Sequence, residues 1–183
     1  MIFLTGENGY LASLLRNYTR HIDYVAIFGC PSSTKDIDSN PKKLALTLDT
    51  IVSAKNLIKN KIIFASSVGS DYPGLSGSQG YYNRYKNVAE HYITNMYDNY
   101  LIYKIPRVYG PNKVKGIFKT LKDGTYVGSL ETKIDYINEN DFVTWFMENL
   151  EFTNKIIEYD KDFRTIKVKD LKDLIHTNTL HLL

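Results

Sequence analysis

The sequence predicts an α/β fold with a doubly wound, mostly parallel sheet. Short apolar runs, typical of strands buried on both faces, alternate with segments in which apolar residues recur at helical spacing. Alternation of this kind favours parallel βαβ units with right-handed crossovers. Gly6 and Gly9 lie where the first strand meets the first helix. We expect a single domain over residues 1–183, with a core over 1–112 and smaller elements over 113–183.

The first two thirds of the chain contain the regular alternation. Asn40-Pro41 is typical of a helix start, with Asn as the cap and Pro in the first turn. Pro106 and the pair Gly110-Pro111 follow the last strand of this part. We expect strands over 1–5, 24–28, 61–65 and 100–105, helices over 10–18, 41–58 and 82–96, and polar loops over 31–40 and 66–80.

Beyond Asn112 the pattern is less regular, and the apolar runs are shorter. We expect helices over 114–121, from about 141 and over 169–176, and short strands over 126–127, 134–137 and 155–159.

The composition favours a soluble globular protein. The residues are 43% hydrophobic and 23% charged, and no apolar run approaches the roughly 20 residues that span a bilayer. The net charge of +3 comes from 23 basic and 20 acidic residues that are interspersed, whereas a nucleic-acid binder concentrates basic residues on one face. The stretch Met1 to Leu4 is too short for a signal-peptide core and Cys30 is the one cysteine, so we expect a cytosolic protein without disulfides. The four histidines are dispersed, so we expect no metal site.

The segment from Thr5 to Ala12 predicts a phosphate-binding turn. Gly6 and Gly9 permit a tight turn and the close approach of a pyrophosphate, and Ala12 permits close packing of helix on strand. A helix that begins here offers free N–H groups and the positive end of its dipole to an anion. A plain glycine turn without a ligand is the alternative, because two glycines in eight residues are common.

The acidic residue of a dinucleotide site is missing from its usual place. In such sites an Asp or Glu about 20 residues after the turn, at the end of the second strand, binds the adenosine ribose. Here that strand ends in Phe28-Gly29-Cys30, and Asp36 and Asp38 come later, in the loop. The sequence therefore predicts weak binding of the adenosine half of a dinucleotide.

A Ser, Tyr and Lys combination suggests acid–base chemistry. Tyr82 and Lys86 are four residues apart on a predicted helix, so both side chains project from one face. Tyrosine, with a pKa of about 10, needs a nearby cation to act as a base near neutrality, and Lys86 would provide it. Ser67, at the end of the third strand, would hydrogen-bond the same substrate oxygen. Tyr and Lys recur at this spacing elsewhere in the chain, so a structural role for this pair stays open.

Six segments, in the correct order, resemble the extended short-chain dehydrogenases that act on sugar nucleotides. The resemblance covers nearly the whole chain, and the shared order is more specific than any single motif. Thr5 to Ala12 is similar to the family's glycine signature, Asp23 to Ser33 to its fourth strand, and Phe64 to Ser67 to the strand that ends in the catalytic Ser or Thr. Tyr81 to Lys86, with Glu90, is similar to the active-site helix. Pro106 to Pro111 is similar to the exit of the fifth strand, and Asp135 to Ile137, with Asp141, to the substrate-side element.

The resemblance implies a Rossmann-like sheet, NAD or NADP as the cofactor and a nucleotide sugar as the substrate. It implies that Ser67, Tyr82 and Lys86 form the catalytic triad. Lys104 stands where many relatives have arginine. The cofactor-binding residues that it implies are Gly6, Asn8, Gly9, Tyr10, Leu11, Ala12, Gly29, Pro31, Ser66, Lys86, Pro106 and Val108.

The same resemblance implies a sheet with fewer strands. If residues 23–33 match the family's fourth strand, strands 2 and 3 and their helices are missing. In the order 3-2-1-4-5-6 this loss removes one edge and leaves the middle intact. The wall for the adenosine half of the cofactor would be lost with them. An alternative alignment makes residues 22–28 the second strand.

Three functions remain open on the sequence alone. They are an NAD(P)-dependent epimerase, dehydratase or reductase of a nucleotide sugar, a non-catalytic or regulatory binding protein that associates with a full-length relative, and a protein that binds a nucleotide without a redox step. Family members commonly dimerise through the helix that contains Tyr82, and Tyr85, Val88, Tyr92 and Met96 would give it an apolar face. We therefore expect a homodimer, with packing of these side chains in the monomer core as the alternative.

Overall fold

The structure is a computed structural model that describes residues 1–28, 42–56, 60–72, 77–113 and 115–182. These residues divide into two compact units. The first comprises Met1–Ile105 with Phe146–Tyr159, and the second comprises Pro106–Trp145 with Asp160–Leu183. The expectation of one domain with a boundary near residue 112 stays a prediction.

Eight strands and six helices lie in the described residues. The strands are β1 (Ile2–Thr5), β2 (Val25–Ile27), β3 (Ile62–Ser67), β4 (Tyr100–Ile105), β5 (Val108–Tyr109), β6 (Lys133–Asn138), β7 (Lys155–Glu158) and β8 (Arg164–Lys167). The helices are α1 (Tyr10–Leu15), α2 (Lys42–Ala54), α3 (Gly77–Met96), α4 (Ile117–Lys122), α5 (Glu139–Glu148) and α6 (Val168–His176), with 3₁₀ turns at Val68–Asp71 and Leu180–Leu182. None of these helices is long and apolar enough to cross a membrane.

The first unit contains a five-stranded sheet in which every neighbouring pair is parallel. The strand order is β1-β2-β3-β4-β7. Because β2 pairs with both β1 and β3, it takes the place of the family's fourth strand, and β1 is an edge strand among the described residues. The alternative alignment of residues 22–28 as the second strand is wrong, because that strand would lie on the other side of β1. The predicted Rossmann-like sheet with fewer strands is confirmed.

Buried aliphatic and aromatic side chains of the central strands form the core of the first unit. Even-numbered residues of β3 and β4, such as Phe64 and Ile102, pack with side chains of α2 and α3 in one cluster. Full burial of each such side chain stabilises the fold by about 1.5 to 3 kcal/mol. Tyr103, an odd-numbered residue of β4, stacks on Phe146 with ring centroids 4.3 Å apart. Alternate strand residues therefore pack against helices on opposite faces of the sheet, as in a doubly wound fold.

The four residues proposed for an apolar face on α3 divide between core and surface. Tyr85 is buried in the cluster of the first unit, and Met96 is partly buried against it. Val88 and Tyr92 are exposed. The alternative of core packing thus holds for Tyr85 and Met96, and the exposed face holds for the other two.

The second unit contains a three-stranded sheet in the order β5-β6-β8. β5 and β6 are parallel, whereas β6 and β8 are antiparallel. Its own core joins aromatic and aliphatic side chains of the sheet to α4 and α6: Tyr109, Phe118, Leu121, Ile134, Tyr136, Val168 and Leu171.

Several element predictions differ from the structure, and the short strand β5 (Val108–Tyr109) was not predicted. The first helix ends at Leu15 and not near Tyr18, and α3 begins at Gly77, within the predicted polar loop. The predicted strand at 126–127 is wrong, because Val127 is fully exposed and gains nothing from a sheet. β8 was not predicted, since three of its four residues are exposed and give no apolar run.

Candidate functional site

The glycine turn after β1 has the geometry that its sequence predicts. Gly6 adopts a positive φ of 76°, which favours glycine, and the N–H of Gly9 donates to the Gly6 carbonyl at 2.8 Å. A Cβ atom at Gly9 would lie 2.9 Å from the Gly6 oxygen, so a side chain would displace the main chain. Ala12 is buried, which lets α1 pack closely on the sheet. The turn therefore forms a compact main-chain cradle.

The residues present fit the phosphate half of a dinucleotide better than the adenosine half. A side chain at Gly6 or Gly9 would distort the cradle. A turn that binds pyrophosphate needs glycine at such positions, because its main chain must approach the phosphates closely. Beside it, an open cavity of about 360 Å³ is lined by Ile2 of the edge strand, by Asn8 and by Arg16 and Arg20, among others. No strand of the described residues lies beyond β1, so no second strand offers an acid for the ribose.

Ser67 is the last residue of β3 and caps the 3₁₀ turn that follows. Its Oγ accepts a hydrogen bond from the N–H of Gly69 at 3.2 Å. A Cβ atom at Gly69 would lie 2.6 Å from Oδ1 of Asn83 and 3.5 Å from Oγ of Ser67. The absence of a side chain at Gly69 therefore lets α3 approach the Ser67 hydroxyl closely.

Lys86 joins the active-site helix to the strand that ends in Ser67. It is buried, and its Nζ donates to the carbonyl of Ala65 at 2.7 Å. The same ammonium lies 5.0 Å from the ring centroid of Phe64 and 5.7 Å from that of Tyr82, both within cation–π range. Tyr82 is partly buried against the core. The structure thus brings Tyr82 and Lys86 together against β3, and the role of these residues stays a prediction.

The other predicted cofactor residues lie in several places. Asn8 is exposed in the glycine turn, and Tyr10 and Leu11 are half-buried in the first turn of α1. Ser66 is buried in β3, its hydroxyl donates to Glu90, and it lies opposite Lys104 in the register of β3 and β4. The remaining four are outside the first unit or outside the described residues: Pro106 and Val108 belong to the second unit, and Gly29 and Pro31 lie outside the described residues.

A buried polar cluster surrounds the carboxyl end of β3. Burial raises the pKa of Glu90, while the hydrogen bond from Ser66 and the charge of Lys104 act in the opposite direction. Burial lowers the pKa of Lys104, but its hydrogen bond to Asp71 and the nearby carboxylates outweigh that effect and raise it. Lys104 also lies 3.4 Å from Glu158 of β7. Charged groups in this cluster are therefore paired, as burial requires.

Sequence reasoning assigned no role to most of this cluster. Asp71 and Ser70 lie in a segment that was expected to be an irregular loop. Asn83 and Asn87 share the helix face of Lys86, and that spacing is the signal that could have identified them.

The predicted substrate-side acids lie in the second unit and are hydrogen-bonded there. Asp135 on β6 accepts from the hydroxyl of Thr165 at 2.7 Å. Asn138 caps α5 by accepting from the N–H of Asp141 at 2.7 Å, and the Asp141 carboxylate lies 3.5 Å from Arg164. Three or more His, Cys, Asp or Glu side chains placed to hold a metal ion do not occur in the described residues.

The parallel sheet, its glycine turn and its flanking helices define a Rossmann-like α/β fold. No profile of a known protein family matches the sequence, and no curated protein sequence is significantly similar to it. Solved structures do match. The resemblance to the extended short-chain dehydrogenases is confirmed at the level of the fold, because sugar-nucleotide enzymes of this type match over most of the chain.

Three of these solved structures illustrate the likeness. UDP-glucuronic acid 4-epimerase from Bacillus cereus, solved with NAD, matches with a TM-score of 0.62 and 17% identity over 90% of this chain and 62% of its own. UDP-glucose 4-epimerase from Thermus thermophilus, solved with NAD, gives 0.64 and 15% over 91% and 65%. dTDP-4-dehydrorhamnose reductase from Bacillus anthracis, solved with NADP, gives 0.64 and 11% over 97% and 80%. The chain therefore spans less than two thirds of the length of the two epimerases.

Proposed function

We propose that the chain is an NAD(P)-dependent enzyme that acts on a nucleotide sugar as an epimerase, dehydratase or reductase. The observation that supports this most directly is the position of Lys86. Its ammonium lies beside the Tyr82 ring and against the strand that ends in Ser67. The fold that holds these residues is shared with enzymes solved with NAD or NADP.

In this proposal the glycine turn binds the pyrophosphate of the cofactor. The main chain at Gly6 and Gly9 can approach phosphate oxygens closely because neither residue has a side chain. When bound, the nicotinamide accepts or donates a hydride. Because the described residues contain no second strand for the ribose, we expect weak affinity for the dinucleotide, with a Kd of about 0.1 to 1 mM, which is a binding free energy of about 4 to 5.5 kcal/mol in magnitude.

The side chains of α3 and β3 would move the proton. Tyr82 takes the proton from a sugar hydroxyl or returns it, and the Lys86 ammonium, 5.7 Å from the centroid of the Tyr82 ring, places a positive charge beside it. Ser67 donates a hydrogen bond to the same sugar oxygen and orients it.

Removal of one hydroxyl tests the proposed role of Tyr82. Tyr82→Phe should lower kcat by about 10²- to 10⁴-fold, because general acid–base catalysis is lost, while cofactor affinity stays the same. Tyr81→Phe is the matched control, because Tyr81 is the exposed neighbour on the same helix. Turnover of a panel of nucleotide sugars and calorimetric cofactor binding give the two readouts. Equal activity of Tyr82→Phe and the wild type would contradict the proposal.

A second candidate is a non-catalytic or regulatory binding protein that keeps the scaffold. It is favoured by the edge position of β1, beyond which the described residues contain no strand for the adenosine half. Such a protein would associate with a full-length relative. Nucleotide binding without turnover, together with capture of such a relative in solution, would support it over the enzyme.

We also propose a homodimer in which α2 and α3 form the interface. Tyr81, Val88 and Tyr92 of α3 are exposed apolar side chains, and Leu46 and Val52 of the neighbouring α2 add to them. An apolar face of this kind is typical of protein interfaces.

The cytosolic location that the sequence predicts stays a prediction.

A further inference from the structure

Polar side chains along one face of α3 fasten the helix to the end of β3 and to the turn beyond it. They recur at positions i, i+3, i+4 and i+7, so they lie on one face. We call them the α3 stripe. Its contacts with residues 65–72 are Asn83 Nδ2 to Tyr72 O at 3.0 Å, Lys86 Nζ to Ala65 O at 2.7 Å, Asn87 Nδ2 to Ser70 O at 3.4 Å, and Glu90, which accepts from Ser66 Oγ.

Glu90 is the buried acid of the stripe, with only 6% of its surface exposed. Ser66, directly before Ser67, and Ser70, within the 3₁₀ turn that Ser67 caps, are also buried. A buried carboxyl group is costly unless it is hydrogen-bonded, so its contact with Ser66 is strongly favoured over any open arrangement. The end of β3 is therefore held at the residue directly before Ser67.

A second attachment holds the same turn from the other side. Lys104 on β4 lies opposite Ser66 in the sheet register and pairs with Asp71, the last residue of the 3₁₀ turn. The positive charge of Lys104 also interacts favourably with the carboxylate of Glu90. The turn is thus bounded at Ser66 by Glu90 and at Asp71 by Lys104, with the Ser67 hydroxyl between them.

We propose that Glu90 is a positioning residue that acts through Ser66 to hold the Ser67 hydroxyl in place relative to Tyr82 and Lys86. One face of α3 then holds both Lys86, which contacts β3 at Ala65, and Glu90, which holds β3 at Ser66. This inference rests on the proposed function for the reaction in which Ser67 takes part, and it adds a residue that acts through another one.

The test compares Glu90→Leu, Glu90→Gln and Ser66→Ala with the wild type in two measurements. The first is amide hydrogen exchange at Gly69, whose N–H donates to Ser67 Oγ. The second is the separation of kcat from KM for a nucleotide sugar. Lys61→Met is the matched control, because it removes another buried charged group. Lys61 directly precedes β3, at the end opposite to Ser67, and its Nζ donates to Leu150 O.

Glu90→Leu should speed exchange at Gly69 by about tenfold or more, since a buried hydrogen bond to the strand end is lost. It should lower kcat by roughly 10- to 100-fold with KM nearly unchanged, because a small misplacement of a reacting group has that effect. Ser66→Ala should change both in the same direction. Glu90→Gln should restore most of both values, because its amide oxygen can accept from Ser66. Lys61→Met should lower stability and leave both unchanged.

Wild-type exchange at Gly69 in Glu90→Leu, or equal acceleration in Lys61→Met, would overturn the inference. If Glu90→Leu does not fold, Ser66→Ala decides the question by the same readout. Absence of turnover in the wild type would contradict the proposed function alone, because the exchange measurement still reports whether Glu90 holds the Ser67 turn.

Discussion

At the scale of single residues, Gly9 makes the sharpest steric demand in the glycine turn. Gly9→Ala would place a Cβ atom 2.9 Å from the Gly6 oxygen, and relief requires a shift of the main chain. We expect a loss of stability of about 1 to 3 kcal/mol and at least a tenfold loss of dinucleotide affinity by calorimetry.

Gly116→Ala is the control for this change. Gly116 has a φ of 67°, and a Cβ atom there would meet nothing within 4 Å, so the substitution adds backbone strain away from the turn. It should lower stability by about 1 kcal/mol and leave nucleotide affinity unchanged. Equal loss of affinity in the two variants would contradict the role of the turn.

Lys113 in the second unit makes stability depend on pH. Burial lowers its pKa to about 8, although the charge of Glu139 acts in the opposite direction. The unfolded chain, with a lysine pKa of about 10.4, binds more protons between these two values, so the contribution of Lys113 to the free energy of unfolding rises with pH in that range. The stability of Lys113→Met relative to wild type should therefore fall from about pH 7 to about pH 10 in denaturant titrations. A stability of Lys113→Met relative to wild type that stays constant or rises over this range would contradict the lowered pKa of Lys113.

Residue identities predicted local chemistry better than they predicted partners. The spacing of Gly6 and Gly9 was sufficient to predict a turn whose geometry the structure contains. By contrast, the contact of Glu90 with Ser66 joins residues 24 positions apart, and the pairing of Lys104 with Asp71 spans 33. Contacts of this range depend on how α3 packs on the sheet, which no local pattern specifies.

At the scale of elements, α3 is a helix with two different faces. One face packs on the sheet, and the other exposes Tyr81, Val88 and Tyr92. In the proposed homodimer, Val88→Glu should produce monomers in sedimentation experiments, because a carboxylate would be buried at the interface. Val127→Glu is the control, since Val127 is fully exposed in the second unit. A wild-type monomer would contradict the proposed dimer.

Elements with long apolar runs were predictable from the sequence, whereas short exposed ones were not. β4 begins and ends where expected, because five of its six residues are buried and apolar residues dominate it. β8 is recognisable only from its pairing with β6, and Val127 resembles a strand residue although it has no core to contact. Helix α3 begins earlier than predicted, since its glycine- and serine-rich start is weak in helix propensity.

At the scale of the whole molecule, the central structural fact is that β1 lies at the edge of the sheet formed by the described residues. The sequence predicted it through the family resemblance, and the strand order decides between the two alignments that the resemblance left open. The edge position leaves the glycine turn intact while the described residues offer no neighbouring strand for the adenosine half. From this arrangement we expect weak binding of a dinucleotide, governed by the glycine turn.

Calorimetric titration of the purified protein with NAD, NADH, NADP and NADPH tests this account most directly. The preparation is first checked for cofactor retained through purification. We expect saturable binding of at least one dinucleotide with a Kd of about 0.1 to 1 mM, which Gly9→Ala weakens at least tenfold. No saturable binding at millimolar concentrations would contradict the account and would mean that the fold persists without its redox cofactor.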